Sequence, residues 1–213
     1  LVKKINLNSL YGAILNPGCR FFDHRIGQST TLTGRAIAKH MSAKVNELLT
    51  GEYDHTGACI VYGDTDSVYF SAWPVIKDDV ESGKMEWGKE QCIQLYDQLG
   101  EAVNETFPSF METAFHTTRK HGEIMAGARE VVALKGLFIT KKRYAALVID
   151  NEGQRLDVNG KLGKMKAMGL DLKRSDTPLV MQEFMSSLLM DVLTGSEVDH
   201  VVSRIKDFKY HFK

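Results

Sequence analysis

Cys59-Ile60-Val61-Tyr62-Gly63-Asp64-Thr65-Asp66-Ser67-Val68-Tyr69-Phe70 is the stretch that decides how this chain is read. Two runs of strand-favouring residues flank a Gly-Asp-Thr-Asp apex, which predicts a β-hairpin over 57–72 closed by Trp73-Pro74. Two carboxylates, Asp64 and Asp66, stand two residues apart at the turn. A turn held by two buried strands is a rigid place to fix a divalent cation. Asp is also an ordinary turn residue, so the same residues describe a plain hairpin. The surrounding sequence separates the two readings.

The 213 residues suffice for one large domain, or for one domain and part of another. Hydrophobic content of 43% and charged content of 25% are those of a globular protein with a core. Lys plus Arg and Asp plus Glu are each 27, so the net charge points to no class of partner. Cys19, Cys59 and Cys92 are odd in number and lack metal-ligand spacing, which suits a reduced, cytoplasmic setting. The seven histidines include no HxxxH pair, which argues against zinc. No secretory signal pattern and no bilayer-length apolar run is present, so no membrane partner is expected. The chain opens at Leu1 inside a helical pattern and ends at Phe212-Lys213 without a closing signal, which reads as a fragment.

Before the hairpin, Leu1, Ile5, Leu7, Leu10, Tyr11 and Ile14 predict a helix over 1–15 with a buried apolar stripe. Lys4, Asn8 and Tyr11 fall at i, i+4 and i+7 on one face of it. That face is either a solvated polar edge or a ligand-facing row, with a cation for phosphate and an amide and a ring for a base. Asn16-Pro17-Gly18 ends the helix, and a second, long one is expected over 28–49, stopped by Gly51. His40 lies on or near its apolar stripe and reads as a satisfied core or edge histidine rather than a ligand. After the hairpin, 75–87 reads as an irregular charged insert. Residues 88–119 read as two helices broken near Phe107-Pro108. Strands are expected over 124–133 and 137–149, with a turn at Asp150-Asn151-Glu152-Gly153. Thr177 and Pro178 read as the N-cap and first position of a further helix, and a last short one runs from about 197. The fold class is α+β, an antiparallel sheet with packed helices and a C-terminal helical portion.

The segment 135–174 holds ten cations against four acids, a local excess in a chain of zero net charge. Lys141-Lys142-Arg143-Tyr144 is read as the start of a strand, with Lys142 and Tyr144 facing one side and Lys141 and Arg143 the other. Such a patch neutralises backbone phosphates, or it is a solvated edge strand protected by lysines.

Three of these stretches, in this order, resemble the motifs of family B DNA polymerases, most closely the replicative enzymes of tailed phages. Lys4-Ile5-Asn6-Leu7-Asn8-Ser9-Leu10-Tyr11-Gly12 resembles the family's Kx3NSxYG fingers motif. Tyr62-Gly63-Asp64-Thr65-Asp66-Ser67 resembles its YGDTDS palm motif, and Lys141-Lys142-Arg143-Tyr144 its KKRY motif. Met168-Gly169 and Lys173-Arg174-Ser175-Asp176-Thr177-Pro178 look like the family's approach to the thumb. The resemblance implies a palm-type sheet and a division into fingers helix and connector (1–27), palm (28–165) and the beginning of a thumb (166–213). It implies that Lys4 binds the incoming triphosphate, and that Asn8 and Tyr11 line the nascent base-pair pocket. Asp66 would be the metal-binding carboxylate, with Asp64 pointing away and mattering less. Glu130 resembles a further acid near the metals, although Ala128 stands where phage members often carry an acid. Lys141, Lys142, Arg143, Tyr144, Lys173 and Arg174 would lie along the primer–template duplex.

The implied chemistry is nucleotidyl transfer from a dNTP to a primer 3′-hydroxyl by two Mg²⁺ ions. The family's other palm aspartate, in a DxxSLYPS-type motif, does not occur in this sequence. One ligand of the metal pair is therefore expected outside this chain, which reads either as the C-terminal piece of a split polymerase completed in trans by its N-terminal half, or as an excised palm segment, and the chain alone is expected to be inactive. The sliding-clamp partner is left open. Two other classes fit parts of the pattern. A non-catalytic DNA-binding module needs only the basic segment. Another palm-type nucleotidyl transferase, such as a cyclase or reverse transcriptase, needs only the hairpin, and the fingers and KKRY motifs argue against it.

Overall fold

A computed structural model describes residues 2–212, and of Lys173 the backbone alone. The chain divides into two compact units, one up to Lys77 and one from Asp78.

The first unit begins with helices α1 (Val2–Ile14) and α2 (His24–Thr50). The helix expected over 1–15 forms, but its apolar stripe is not covered. None of its described residues is buried, and Ile5, Leu7 and Leu10 are more than half exposed. Leu1 lies outside the described residues. Periodicity predicts which face needs cover, not which polypeptide supplies it. Helix α2 starts four residues earlier than expected because Asp23 caps it. The Asp23 carboxylate, on an extended backbone, accepts from the Arg25 N–H at 2.9 Å. Gly51 ends α2 as expected, at φ 83°, with its N–H on the Glu47 carbonyl at 2.8 Å. His40 is buried, and its Nδ1 lies 2.8 Å from the Tyr53 hydroxyl. Burial lowers its pKa, as for a neutral core histidine.

Strands β1 (Ile60–Asp64) and β2 (Ser67–Phe70) form the expected hairpin, antiparallel, with Asp64 opposite Ser67. Trp73-Pro74 does more than close it. These residues open helix α3 (Trp73–Glu81), so much of the supposed irregular insert is helical. Proline in a first helical turn gives up an N–H that has no partner there and arrives with its φ preset. Ile76 is the residue that α3 buries.

In the second unit, α4 (Lys89–Asn104) and α5 (Phe107–Phe115) are separated where Phe107-Pro108 predicts, and α6 (Arg119–Gly122) follows. The sheet comprises β3 (Val131–Thr140), β4 (Arg143–Asn151), β5 (Gln154–Arg155) and β6 (Lys164–Met168), all antiparallel. Strand β4 is central, with β3 on one side and β5 and β6 on the other. Its residues 144–150 are all buried, which is why 144–149 read as a continuous apolar run rather than an alternating one.

The strand boundaries differ from expectation. Residues 124–130 are not strand, and the chain reverses at Lys141-Lys142 rather than near Gly136. Gly136 lies inside β3, paired with Ala146, and the Phe138 ring takes the space that its Cβ would fill. The expected gap at 134–136 is therefore continuous strand, and its glycine makes room for a ring. The turn after β4 is where expected, with Glu152 and Gly153 at φ 50° and 84°.

A short 3-10 turn (Asp171–Lys173) leads to α7 (Leu179–Thr194) and α8 (Val198–His211). Pro178 is the N-cap of α7 rather than its first helical residue, so the helix starts one position later than predicted. Helix α7 packs on the sheet, where Leu193 joins Ala145 and Leu147 in the core and Leu189 and Met165 surround them. Helix α8 is held to α7 by the Phe184–Phe208 stack, with centroids 3.8 Å apart, and by Arg204 on Asp191. The architecture is α+β with antiparallel sheets. Among the described residues no helix is long and apolar enough to cross a membrane.

Candidate active site

The acidic turn is a two-residue connection, Thr65-Asp66, between paired Asp64 and Ser67. Beneath it, Tyr62 and Tyr69 face each other across the strands with ring centroids 6.0 Å apart, a cross-strand pair that stiffens the ribbon. Thr65 has φ 36°, a region β-branched residues avoid, so the turn is held against local preference. The two carboxylates have different surroundings. Asp64 is half-buried and tied into the turn: its carboxylate accepts from the Thr65 hydroxyl, and its carbonyl from the Ser67 hydroxyl, each at 3.2 Å. Asp66 is exposed, and among the described residues its carboxylate has no hydrogen-bond or ion-pair partner. A hard, anionic oxygen donor at a rigid apex is the ligand type Mg²⁺ takes. Among the described residues no three His, Cys, Asp or Glu side chains gather closely enough to hold a metal. Among the described residues, such an ion would meet one unpartnered carboxylate at the turn rather than a cage.

The base of the hairpin has an anchor that the sequence reading passed over. Asn46 of α2 is 1% exposed, and its side chain bonds to the loop that leads into β1. The available signal was an amide on the buried stripe of a helix, four residues before a threonine.

On α1, Lys4 and Asn8 are exposed and Tyr11 is half-buried, along one side of the helix. The row is presented rather than packed.

In the second unit, Lys141 and Lys142 form the tight turn between β3 and β4, where Thr140 pairs with Arg143. This corrects the expected strand register. Lys142, at φ 61°, is a turn residue and shares no strand face with Tyr144. Tyr144 is 3% exposed and stacked on Phe138 at 5.3 Å, so its ring supports the turn from within the sheet. Arg143 Nε donates to the Gly169 carbonyl at 3.1 Å, and its guanidinium lies 3.9 Å from Asp171. Arg174 pairs with Asp176 at 2.7 Å and Asp171 at 3.6 Å. Of Lys173 only the backbone is described, in the adjacent 3-10 turn. Acids from outside the basic segment reduce its excess. Glu130 holds Lys166 at 2.7 Å, and Glu90 pairs with Arg155. Glu130, the suggested additional metal acid, is thus engaged by a lysine. Lys141, Lys142, Arg143 and Arg174 are exposed at this turn, the two arginines paired with Asp171 and Asp176.

An acidic hairpin whose outer carboxylate is unpartnered, a presented Lys-Asn-Tyr row and a cationic turn are parts suited to phosphate and metal chemistry. The profile of DNA polymerase family B matches residues 1–109, just over half of the sequence. The chain belongs to DNA polymerase family B. It is 31% identical over 209 residues to the DNA-directed DNA polymerase of Escherichia phage RB69, covering 92% of this chain and 22% of that protein. It is 29% identical over 231 residues to the enzyme of the same description from Enterobacteria phage T4, covering 100% of this chain and 24% of that protein. DNA polymerase II of Escherichia coli K12 is 24% identical over 207 residues, covering 96% and 23% respectively. The chain spans about a quarter of the length of these curated relatives.

Proposed function

We propose that this chain supplies the metal-bearing hairpin, the nucleotide-facing helix and a DNA-facing turn to a template-directed DNA polymerase. The observation that carries the reading is Asp66, exposed and unpartnered at a rigid apex within one of three ordered family motifs. The division into fingers (1–27), palm (28–165) and the start of a thumb (166–213) belongs to this proposal, as does work in the cytoplasm, that of the host for a viral member.

Asp66 holds a divalent ion, and Asp64 keeps the turn in shape through Thr65 and Ser67. Two Mg²⁺ ions, when bound, lower the pKa of a primer 3′-hydroxyl and steady a pyrophosphate leaving group. Lys4 meets the triphosphate of the incoming dNTP as a point charge, and Asn8 and Tyr11, one and two turns along, line the base-pair pocket. Lys141, Lys142, Arg143, Lys173 and Arg174 neutralise phosphates of the primer–template, with Tyr144 beneath the turn. Glu130 joins the metals only by exchanging Lys166 for them. The remaining carboxylate comes from a polypeptide carrying the DxxSLYPS-type motif.

Metal contacts of this kind are worth several kcal/mol at the transition state, and about 1.4 kcal/mol is tenfold in rate. In a polymerase completed by that polypeptide, Asp66→Ala is expected to slow primer extension by roughly three orders of magnitude or more. A rate within tenfold of the parent would overturn the assignment.

A further inference from the structure

We infer that Asn46, seated on Gly57, is a positioning residue that aims the acidic hairpin; the inference rests on the reading of Asp66 as a metal ligand. Asn46 is 1% exposed inside α2. Its Nδ2 donates to the Thr50 hydroxyl at 3.1 Å and to the Glu52 carbonyl at 2.9 Å. Its Oδ1 accepts from the Cys59 N–H at 3.3 Å. Both amide donors and one acceptor are thereby engaged on the two ends of a single loop. Buried amides are costly unless satisfied, so these bonds hold one arrangement against slippage.

Gly57 completes the seat. A Cβ there would lie 2.2 Å from Nδ2 and 2.3 Å from both Cγ and Oδ1 of Asn46, so any larger residue pushes the amide off the loop. The clamp passes directly into the hairpin. The Cys59 carbonyl accepts from the Ser71 N–H at 2.8 Å, and Ile60 N–H bonds back to the Gly57 carbonyl at 2.9 Å. The bond between Cys59 and Ser71 closes the base of the ribbon whose tip is Asp66. Just above it the pairing shifts between Ile60 and Tyr62, a bulge of the kind that bends a strand and re-aims what lies beyond.

The lever is long for its footing. Five strand residues carry the chain from the base to the apex, about 16 Å, so a rocking of about 10° moves the Asp66 carboxylate by about 3 Å. Misplacement of a reacting group by about 1 Å can already cost about a hundredfold in rate. Helix α2 packs on both β1 and β2, but the amide ties the loop by directed bonds.

Hydrogen–deuterium exchange on the chain and kinetics in the completed polymerase test this together. Asn46→Ala is expected to speed exchange of the amides of 60–70 at least tenfold, with those of β4 unchanged. The completed enzyme should lose about a hundredfold in kcat. Its half-saturating Mg²⁺ concentration should rise at least threefold, with KM for dNTP within threefold. A general loss of stability would not move the Mg²⁺ midpoint. Gly57→Ala alone should act likewise, yet add less than twofold on top of Asn46→Ala, because its methyl fills the space that the amide leaves. Unchanged hairpin exchange in folded Asn46→Ala, or full additivity with Gly57→Ala, would overturn the inference. Should Asn46→Ala fail to fold, Gly57→Ala decides by the same readings. An Asp66→Asn control separates the two ideas: an undiminished rate there removes the metal-ligand reading, while the exchange result still judges the clamp.

Discussion

Gly169 limits what the cationic turn can become. Its φ is 64°, and a Cβ would lie 2.0 Å from the Lys142 carbonyl oxygen and 3.1 Å from Arg143 Cγ. Its own carbonyl receives Arg143 Nε. Alanine would meet both a left-handed backbone, worth roughly 1–2 kcal/mol, and a backbone oxygen that yields only if the Lys141-Lys142 turn moves. Gly169→Ala is expected to cost at least about 2 kcal/mol in chemical denaturation, and to weaken the duplex binding proposed for this turn by displacing the lysines. Unchanged stability would mean that the turn and Gly169 are not in contact. The contrast between Gly169 and Asn46 shows what sequence reveals at this scale. Asp66, Lys4 and Lys142 stand out as candidates because each sits inside a local motif. Asn46 does not, because its partners lie up to thirteen residues away along the chain and only the folded loop brings them to it. Glycine seats such as Gly57 are silent for the same reason.

Elements were legible where local chemistry is unambiguous. Gly51, Phe107-Pro108 and Glu152-Gly153 each force the ending or turn predicted for them. Legibility failed where one residue type serves two ends: Gly136 lies mid-strand, and Pro74 opens a helix while closing a hairpin. Long-range ion pairs were invisible. The Asp157 side chain, 3% exposed, accepts from Lys89 at 2.7 Å and from Arg155 at 2.9 Å, joining the start of α4 to the β4–β5 hairpin. Arg155 first, and then Lys89, holds its carboxyl far below the usual carboxylate range. A depressed folded pKa means that the unfolded chain takes up the proton first as pH falls. The stabilisation is therefore complete above the unfolded carboxylate pKa of about 4, and is lost as pH falls towards the folded value. Asp157→Asn should lower stability by roughly 1–3 kcal/mol at neutral pH and flatten the fall of Tm between about pH 5 and pH 3. Circular dichroism melts across that range check it; a variant curve parallel to the parent's would remove Asp157 from the acid response.

At the scale of the whole chain, the unburied stripe of α1 and the single outward carboxylate make the same point in different chemistry. Helix α1 carries a face that its neighbours leave exposed, and Asp66, the proposed ligand, belongs to no cluster of three potential metal ligands among the described residues. The chain spans about a quarter of the phage RB69 and T4 polymerases, and the DxxSLYPS-type motif does not occur in its sequence. A two-metal site stabilises both the attacking and the leaving oxygens, and each ion needs anionic oxygens fixed before substrate arrives. One carboxylate on a hairpin supplies affinity for an ion but not the placement of two. Purified free of other polymerases, this chain is expected to give no primer extension with template, dNTPs and Mg²⁺. Adding a polypeptide that carries the missing motif should start extension, and Asp66→Ala in this chain should stop it again. Extension by the chain alone, abolished by Asp66→Ala, would show that the second ligand lies within these 213 residues and would overturn the proposal that another polypeptide completes the site.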